Sequence, residues 1–245
     1  MNAQLDDQLR LLDLQTADTA LDRLAHRRAT LPELAQIADL TNEQQRLRDD
    51  VVRGETAVGD LDRQQRKLEA DIDQVRERAD RDRRRMAVST SAKEAESLQH
   101  EVESLARRQG DLEDQLLDLM ERRDEAGKQL DVVRARLEAA SAACAVAVSA
   151  RDTSFAEIDA GVVEQRARRA ATAATVPADL LQMYERIRAS SAGVGAARLY
   201  RQRCEGCHLE LSGGDLAAVR TAAAEEVVRC EECGRILVRP PESGL

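Results

Sequence analysis

From Leu98 to Ile158 the chain keeps one helical register, with positions recurring at alternating steps of four and three, and fourteen of the eighteen are apolar. The exceptions are Gln109, Arg123, Arg151 and Ser154. A register held this long belongs to a helix that buries one narrow stripe against another helix. A partner seam precedes it at Leu47, Val51, Val58, Leu61, Leu68, Ile72, Val75 and Ala79. Between the two seams lies 86–93, Met-Ala-Val-Ser-Thr-Ser-Ala-Lys, where periodicity stops and Ser and Thr cluster. A short polar break between heptad runs predicts an antiparallel helical hairpin. At 1.5 Å rise per residue its arms are expected to be ~75 to 120 Å long. With Ala79 set opposite Leu98, Gly54 faces Arg123, and the missing side chain leaves room for the guanidinium stem to lie flat.

Composition limits what else the chain can be. Aromatic residues are 1% of it, with one Phe, two Tyr and no Trp, while 34% of residues are charged. Large aromatic side chains supply much of the buried area of ordinary cores, so a large globular enzyme is not expected. The 42% hydrophobic content, carried by Leu, Ala and Val, matches long helices instead. The net charge of -9 argues against affinity for nucleic acid or anionic membranes through overall charge. The opening MNAQLDDQLRLLDLQ carries acidic residues and no apolar signal core, and the longest apolar stretch, 139–150, is short and broken by Ser. No signal peptide or spanning helix is expected, and the location expected is cytoplasmic.

Three of four Pro and seven of twelve Gly lie after residue 176, so the first part of the chain reads as helix and the last fifth does not. Pro32 interrupts the first helix. Before it, Leu5, Leu9, Leu12, Leu14, Leu21 and Leu24 cover a wider face than one partner helix needs, and 139–150 is apolar nearly all round. Both predict a bundle of three or more helices at the open end of the hairpin. A helix over 177–189, opened by Pro177 and carrying Leu180, Leu181, Tyr184 and Ile187, is the expected extra member. The expected domains are a coiled-coil hairpin over 1–175, a connecting helix and Gly linker over 176–195, and a ribbon over 196–245.

One constellation carries chemistry. Cys204-x-x-Cys207 and Cys230-x-x-Cys233 are separated by 22 residues. In a chain of this kind two such knuckles signal a metal site rather than a disulfide framework. Four thiolates complete a tetrahedral Zn²⁺ and leave no position for water or substrate, so the site is read as structural, with one Zn²⁺ per chain. Iron–sulfur ligation calls for a shielded shell that Glu205, Glu231 and Glu232 do not provide. Each pair precedes a short β-like run, 208–211 and 235–238. Gly234 is expected to offer its N–H to a sulfur. His208 stands in the same place of the first knuckle and is read as an exposed strand residue rather than a fifth ligand. Cys144 occupies a seam position as a small hydrophobe.

Two groups of cations are candidate contacts for a protein partner or for nucleic acid. Arg83, Arg84 and Arg85 belong to a cluster with Arg76, Arg78 and Arg81 near the hairpin tip, read either as a contact for an acidic partner or phosphate or as a solvated helix end. Arg198, Arg201 and Arg203 lie beside the first knuckle. A phosphate-binding Gly loop, GxSxG and HExxH are all absent from the sequence, and the three His are scattered. No catalytic residues are assigned.

The motifs Cys204-Glu-Gly-Cys-His-Leu-Glu-Leu211 and Val228-Arg-Cys-Glu-Glu-Cys-Gly-Arg-Ile-Leu237, with the approach Val176-Pro-Ala-Asp-Leu-Leu181, Tyr184-Glu-Arg-Ile187 and Gly193-Val-Gly195, resemble bacterial proteins that join an N-terminal coiled-coil hairpin to a C4-type zinc ribbon. The turn Lys93-Glu-Ala-Glu-Ser-Leu-Gln-His-Glu101 extends the resemblance. It implies zinc ligation by Cys204, Cys207, Cys230 and Cys233, and a role in nucleic-acid binding or as an adaptor for transcription, flagellar or secretion components. From Arg198 onward seven Arg meet eight Asp and Glu, and Tyr200 is the only aromatic. A stacking platform for single strands is therefore missing. The reading is a mainly α protein, a long antiparallel coiled-coil hairpin followed by a small β-rich zinc ribbon, acting as a non-enzymatic scaffold for a protein partner. The alternative is a nucleic-acid-binding regulator that uses the ribbon arginines. Either a monomer or a homodimer satisfies the seams.

Overall fold

A computed structural model describes residues 1–244. The elements in order are α1 (Leu5–Ala29), α2 (Pro32–Val88), α3 (Ala92–Ala173), α4 (Ala178–Ser190), β1 (Ala196–Tyr200), β2 (Arg203–Cys204), α5 (Gly213–Thr221), β3 (Val228–Arg229), β4 (Ile236–Val238) and a 3-10 turn, Pro241–Ser243. Two compact units result, Ala35–Val148 on one hand and Met1–Leu34 with Ser149–Leu245 on the other.

Within Ala35–Val148, α2 and α3 pair antiparallel along the two seams. Leu47, Ile72 and Ala79 on α2 and Leu98, Leu105, Leu112, Leu119 and Leu130 on α3 are buried. Val88 ends α2, so the helix runs on through 86–88 and only residues 89–91 form the turn. Ser91 caps α3, accepting the Glu94 N–H at 3.4 Å, while the Ser89 hydroxyl donates to the Glu94 carboxylate at 3.0 Å. Ser-x-x-Glu ahead of a helix is the sequence mark of such a cap.

The pairing differs from the expected register by one heptad. A Cβ on Gly54 would meet Leu130 at 3.0 Å, so Leu130, and not Arg123, takes the space that the glycine leaves. Arg123 instead directs Nε to Asp62 at 3.1 Å. An apolar seam is unchanged by a slide of seven residues, so hydrophobicity alone does not choose among such slides. The polar partners do: Gln44 donates to the Ala140 carbonyl at 3.3 Å and Arg134 pairs with Glu55 at 2.8 Å.

The stretch 139–150 is not enclosed. Ala147 alone is buried, and Val146 is 70% exposed. Alanine is the best helix former and needs no cover, so an Ala-rich turn reads apolar on every side without being a bundle core.

The other unit holds the expected multi-helix packing by different means. Leu11 and Leu14 of α1, Leu180, Tyr184 and Ile187 of α4, and Ala196, Ile236 and Val238 of the strands share one core. The four strands lie in the order β2-β1-β4-β3, with β1 and β4 parallel and the outer pairs antiparallel. Side chains alternate across a strand. Ala196, Ile236 and Val238 therefore face the helices, whereas Ala197, Leu199 and Leu237 enter a second core with Cys204, Cys230 and Val219 of α5. Both faces of β4 are covered, which explains its unbroken Ile-Leu-Val run. Residues 1–3 extend the arrangement, with Asn2 bridging Glu226 and the Val227 N–H donating to the Met1 carbonyl at 3.0 Å.

A buried polar cluster joins α1, α3 and α4. Asp18, 1% exposed, accepts from the Tyr184 hydroxyl at 2.7 Å and from Arg169 Nε at 2.6 Å. Arg188 places Nε 3.3 Å from the same carboxylate as an ion pair without hydrogen-bond geometry. Gln15 accepts the Gly195 N–H at 2.7 Å and donates to the Gly193 carbonyl at 3.0 Å, tying α1 to the start of β1. Gly195 is required here, because a Cβ would lie 2.7 Å from the Tyr184 ring and carbonyl.

Candidate metal centre

The strands bring the two knuckles face to face. The four Sγ atoms of Cys204, Cys207, Cys230 and Cys233 all lie within 4.8 Å of one another. Cys204 is 3.9 Å from Cys233, and Cys207 is 3.9 Å from Cys230. A tetrahedral ion with metal–sulfur bonds of ~2.3 Å requires sulfur separations of roughly 3.8 Å. Donor type and spacing therefore fit Zn²⁺ with all four positions filled.

Both knuckles are built by the same main-chain bonds. The Cys204 N–H donates to Leu209 O at 3.0 Å and the Cys230 N–H to Arg235 O at 2.9 Å. His208 N–H reaches Cys204 O at 2.8 Å, and Gly234 N–H reaches Cys230 O at 2.7 Å. The residue before each first cysteine then closes the loop: Arg203 Nε donates to His208 O and Arg229 Nε to Gly234 O, both at 2.7 Å. This corrects two expectations. Gly234 directs its N–H to a carbonyl and not to a sulfur, and its value lies in a φ of +70°. His208 is neither in a strand nor among the metal-site residues; it adopts φ +62° to make the same turn. The first β-like run is likewise reduced to a bridge between Arg203 and Glu210, because the turn leaves 208–209 outside any ladder.

Burial pushes the Cys204 thiol up to about 12, against the pull of the neighbouring Cys207 and Gly206 N–H groups. Burial also raises Cys230. At Cys233 burial acts in the same direction, but the Arg235 N–H and hydrogen bonds from the neighbouring side chains outweigh it and hold that thiol below its ordinary value. A bound dication would stabilise the thiolates that burial disfavours at Cys204 and Cys230.

The arginines behave differently from a basic face. Arg235 donates to the carbonyls of Val194, Gly206 and Ser191, joining the first knuckle to the segment after α4. Arg239 donates to Val219, Ala222, Ala223, Ala224 and Glu226, closing the end of α5. Of the three candidate contacts here, Arg203 is held in its knuckle, Arg201 lies 5.2 Å over the Tyr200 ring, and Arg198 is exposed. Near the hairpin turn Arg83 pairs with Asp80 at 2.7 Å, and Arg85 pairs with Asp82 and Glu94. Arg84 has no ion pair among the described residues. The carbonyl clamps at Arg235 and Arg239, helix α5 and the Gln15–Asp18–Tyr184 cluster are absent from the expectations drawn from the sequence. Polar Gln15 and Asp18 within the apolar stripe of α1 were the available signal for the last.

A helical hairpin joined to a four-cysteine ribbon defines a class of coiled-coil zinc-ribbon proteins, and comparison with known proteins agrees. A family model described as CT398-like coiled coil hairpin domain matches residues 14–192, and one described as C4-type zinc ribbon domain matches residues 203–237. The chain belongs to the CT398-like coiled-coil hairpin family. It is 41% identical over 240 residues to the uncharacterized protein Rv2229c of Mycobacterium tuberculosis, covering 98% of each chain. A solved structure from Mycobacterium smegmatis is 38% identical with a TM-score of 0.87, covering 98% of this chain and 100% of that one. CT398 of Chlamydia trachomatis, at 21% identity, shares the fold with a TM-score of 0.70 over 96% of this chain and 98% of its own. Among the described residues no helix is long and apolar enough to cross a membrane.

Proposed function

We propose that this protein is a non-enzymatic, cytoplasmic adaptor that binds a protein partner, with one structural Zn²⁺ held by Cys204, Cys207, Cys230 and Cys233. The ribbon proper is taken as 196–245, the connecting segment as 176–195 and the hairpin as 1–175. Zinc would cross-link the two knuckles and stabilise the fold, and four sulfur ligands leave no site for substrate.

The observation that carries the adaptor reading is where the ribbon's positive charge goes. Arg203, Arg229, Arg235 and Arg239 donate to main-chain carbonyls. Phosphate binding depends on cations free to replace counterions. With Arg201 laid over Tyr200, few guanidinium groups of the ribbon remain to follow a nucleic-acid backbone. Affinity purification of the full chain should recover a protein at fixed stoichiometry. Salt-sensitive binding of purified protein to RNA or duplex DNA, with no protein recovered, would instead establish the nucleic-acid reading. In that case Arg198 and Arg201 would be the contacts.

A further inference from the structure

We infer that the groove between α1 and the ribbon is the docking site for a short acidic segment of the partner protein, one that also carries a small apolar side chain. The inference rests on the adaptor reading above and assigns it a surface. Two cavities, of about 470 and 540 Å³, adjoin through Thr19, Arg23 and Val194. The first is polar, with Arg23 and Arg198 on its rim; neither has an ion pair or a hydrogen-bonded side chain among the described residues. The second runs over Ala192, Gly193 and Val194, which follow α4, against Asp22, His26 and Arg27 of α1.

The chemistry of the walls selects the occupant. Arg198 differs from the four ribbon arginines that are clamped onto carbonyls: its guanidinium is exposed beside a cavity. Arg23 lies on the same cavity from α1. Two unpaired cations on one concave rim favour a carboxylate-bearing ligand. The adjoining apolar floor favours a side chain that can be buried next to those carboxylates. Two carboxylates on the walls, Glu205 and Asp22, repel any anion, Asp22 being tied to Arg188 at 3.1 Å. The groove therefore suits a ligand whose few negative charges sit at Arg23 and Arg198, and not a phosphate backbone charged along its whole length. No Phe, Tyr or Trp lines either cavity; the rings there are the single imidazoles of His208 and His26, one to each cavity, which do not form a run on which successive bases could stack.

The test is selection of random short peptides against the zinc-loaded full chain, followed by anisotropy titration of the enriched peptides. Variants are Arg23→Glu with Arg198→Glu and, as a control with equal charge change, Arg66→Glu with Arg107→Glu on the hairpin. Enrichment of Asp and Glu next to an apolar residue is expected. The groove variant should bind at least about tenfold more weakly, equivalent to about 1.4 kcal/mol, with zinc content and hydrogen exchange unchanged. The control should match the wild type. Peptides without acidic enrichment, or equal loss in both variants, would overturn the assignment. If acidic peptides bind elsewhere, with loss on substituting Arg83, Arg84 and Arg85, the groove is wrong and the adaptor reading stands. If only oligouridylate binds, and salt abolishes it, both fall.

Discussion

Tyr184 and Asp18 offer the sharpest measurement of what holds the ribbon-bearing unit together. The hydroxyl donates to the carboxylate at 2.7 Å, and both residues are almost wholly enclosed. A hydrogen bond to a charged group contributes ~1.5 to 3 kcal/mol. Tyr184→Phe removes it without a cavity and leaves Asp18 its two arginines, so a loss of about 2 kcal/mol is expected. Asp18→Asn also weakens the pairing with Arg169 and Arg188. Breaking a buried ion pair costs ~3 to 5 kcal/mol. Here Arg169 and Arg188 are each about a quarter exposed and retain Glu185 and Asp22 as second partners. Solvent screening and those second partners reduce the expectation to ~2 to 4 kcal/mol. Because the two residues share one bond, the double variant should lose about 1 kcal/mol less than the sum of the singles. Hydrogen exchange read by mass spectrometry reports local opening, and 2 kcal/mol corresponds to roughly thirtyfold faster exchange. The acceleration should appear in peptides of α1, α4 and β1, with peptides from 95–130 unchanged as an internal reference. Strict additivity, or equal acceleration in the reference peptides, would refute the account of this cluster as a local tie.

Glycine substitutions should separate close approach from helix propensity: Gly195→Ala, facing Tyr184 at 2.7 Å, should destabilise the ribbon unit, whereas Gly110→Ala, with nothing within 4 Å, should raise helix stability by up to about 1 kcal/mol in thermal melts. Elemental analysis should find about one zinc per chain, and Cys204→Ser should abolish it. Since Ile236 and Val238 belong to the same core as Leu11 and Tyr184, metal loss should also speed exchange in α1 and α4, while α2 and α3 keep most of the helical circular dichroism. Spin labels at Val52 and Val132, with Cys144 replaced by Ala, should lie closer than labels at Val52 and Glu125, which one heptad separates by roughly 10 Å along the axis; the reverse order would restore the register expected from the seams. Replacing Arg83, Arg84 and Arg85 by Gln should change stability by less than about 0.5 kcal/mol, as exposed charges do.

Much of the architecture is written locally in the chain. A helix needs only its own periodic side chains and its caps, so the seams, the break at Pro32 and the helix following Pro177 are all visible in one dimension. Four cysteines in two short spacings are visible in the same way, because each knuckle is a local turn and thiolates dictate the ion they prefer. Register was not visible, since a heptad seam matches itself after every slide and the choice fell to Asp62, Glu55 and Gly54 across the pair. The roles of the arginines were not visible either. A guanidinium reads as surface charge in a sequence, but Arg235 and Arg239 reach carbonyls well separated along the chain, and only folding brings those carbonyls within hydrogen-bond distance. The same holds for Tyr184, which ordinary helix patterning marks as apolar. Its hydroxyl finds Asp18 only because α1 and α4 pack together over a sheet whose other face carries the cysteines.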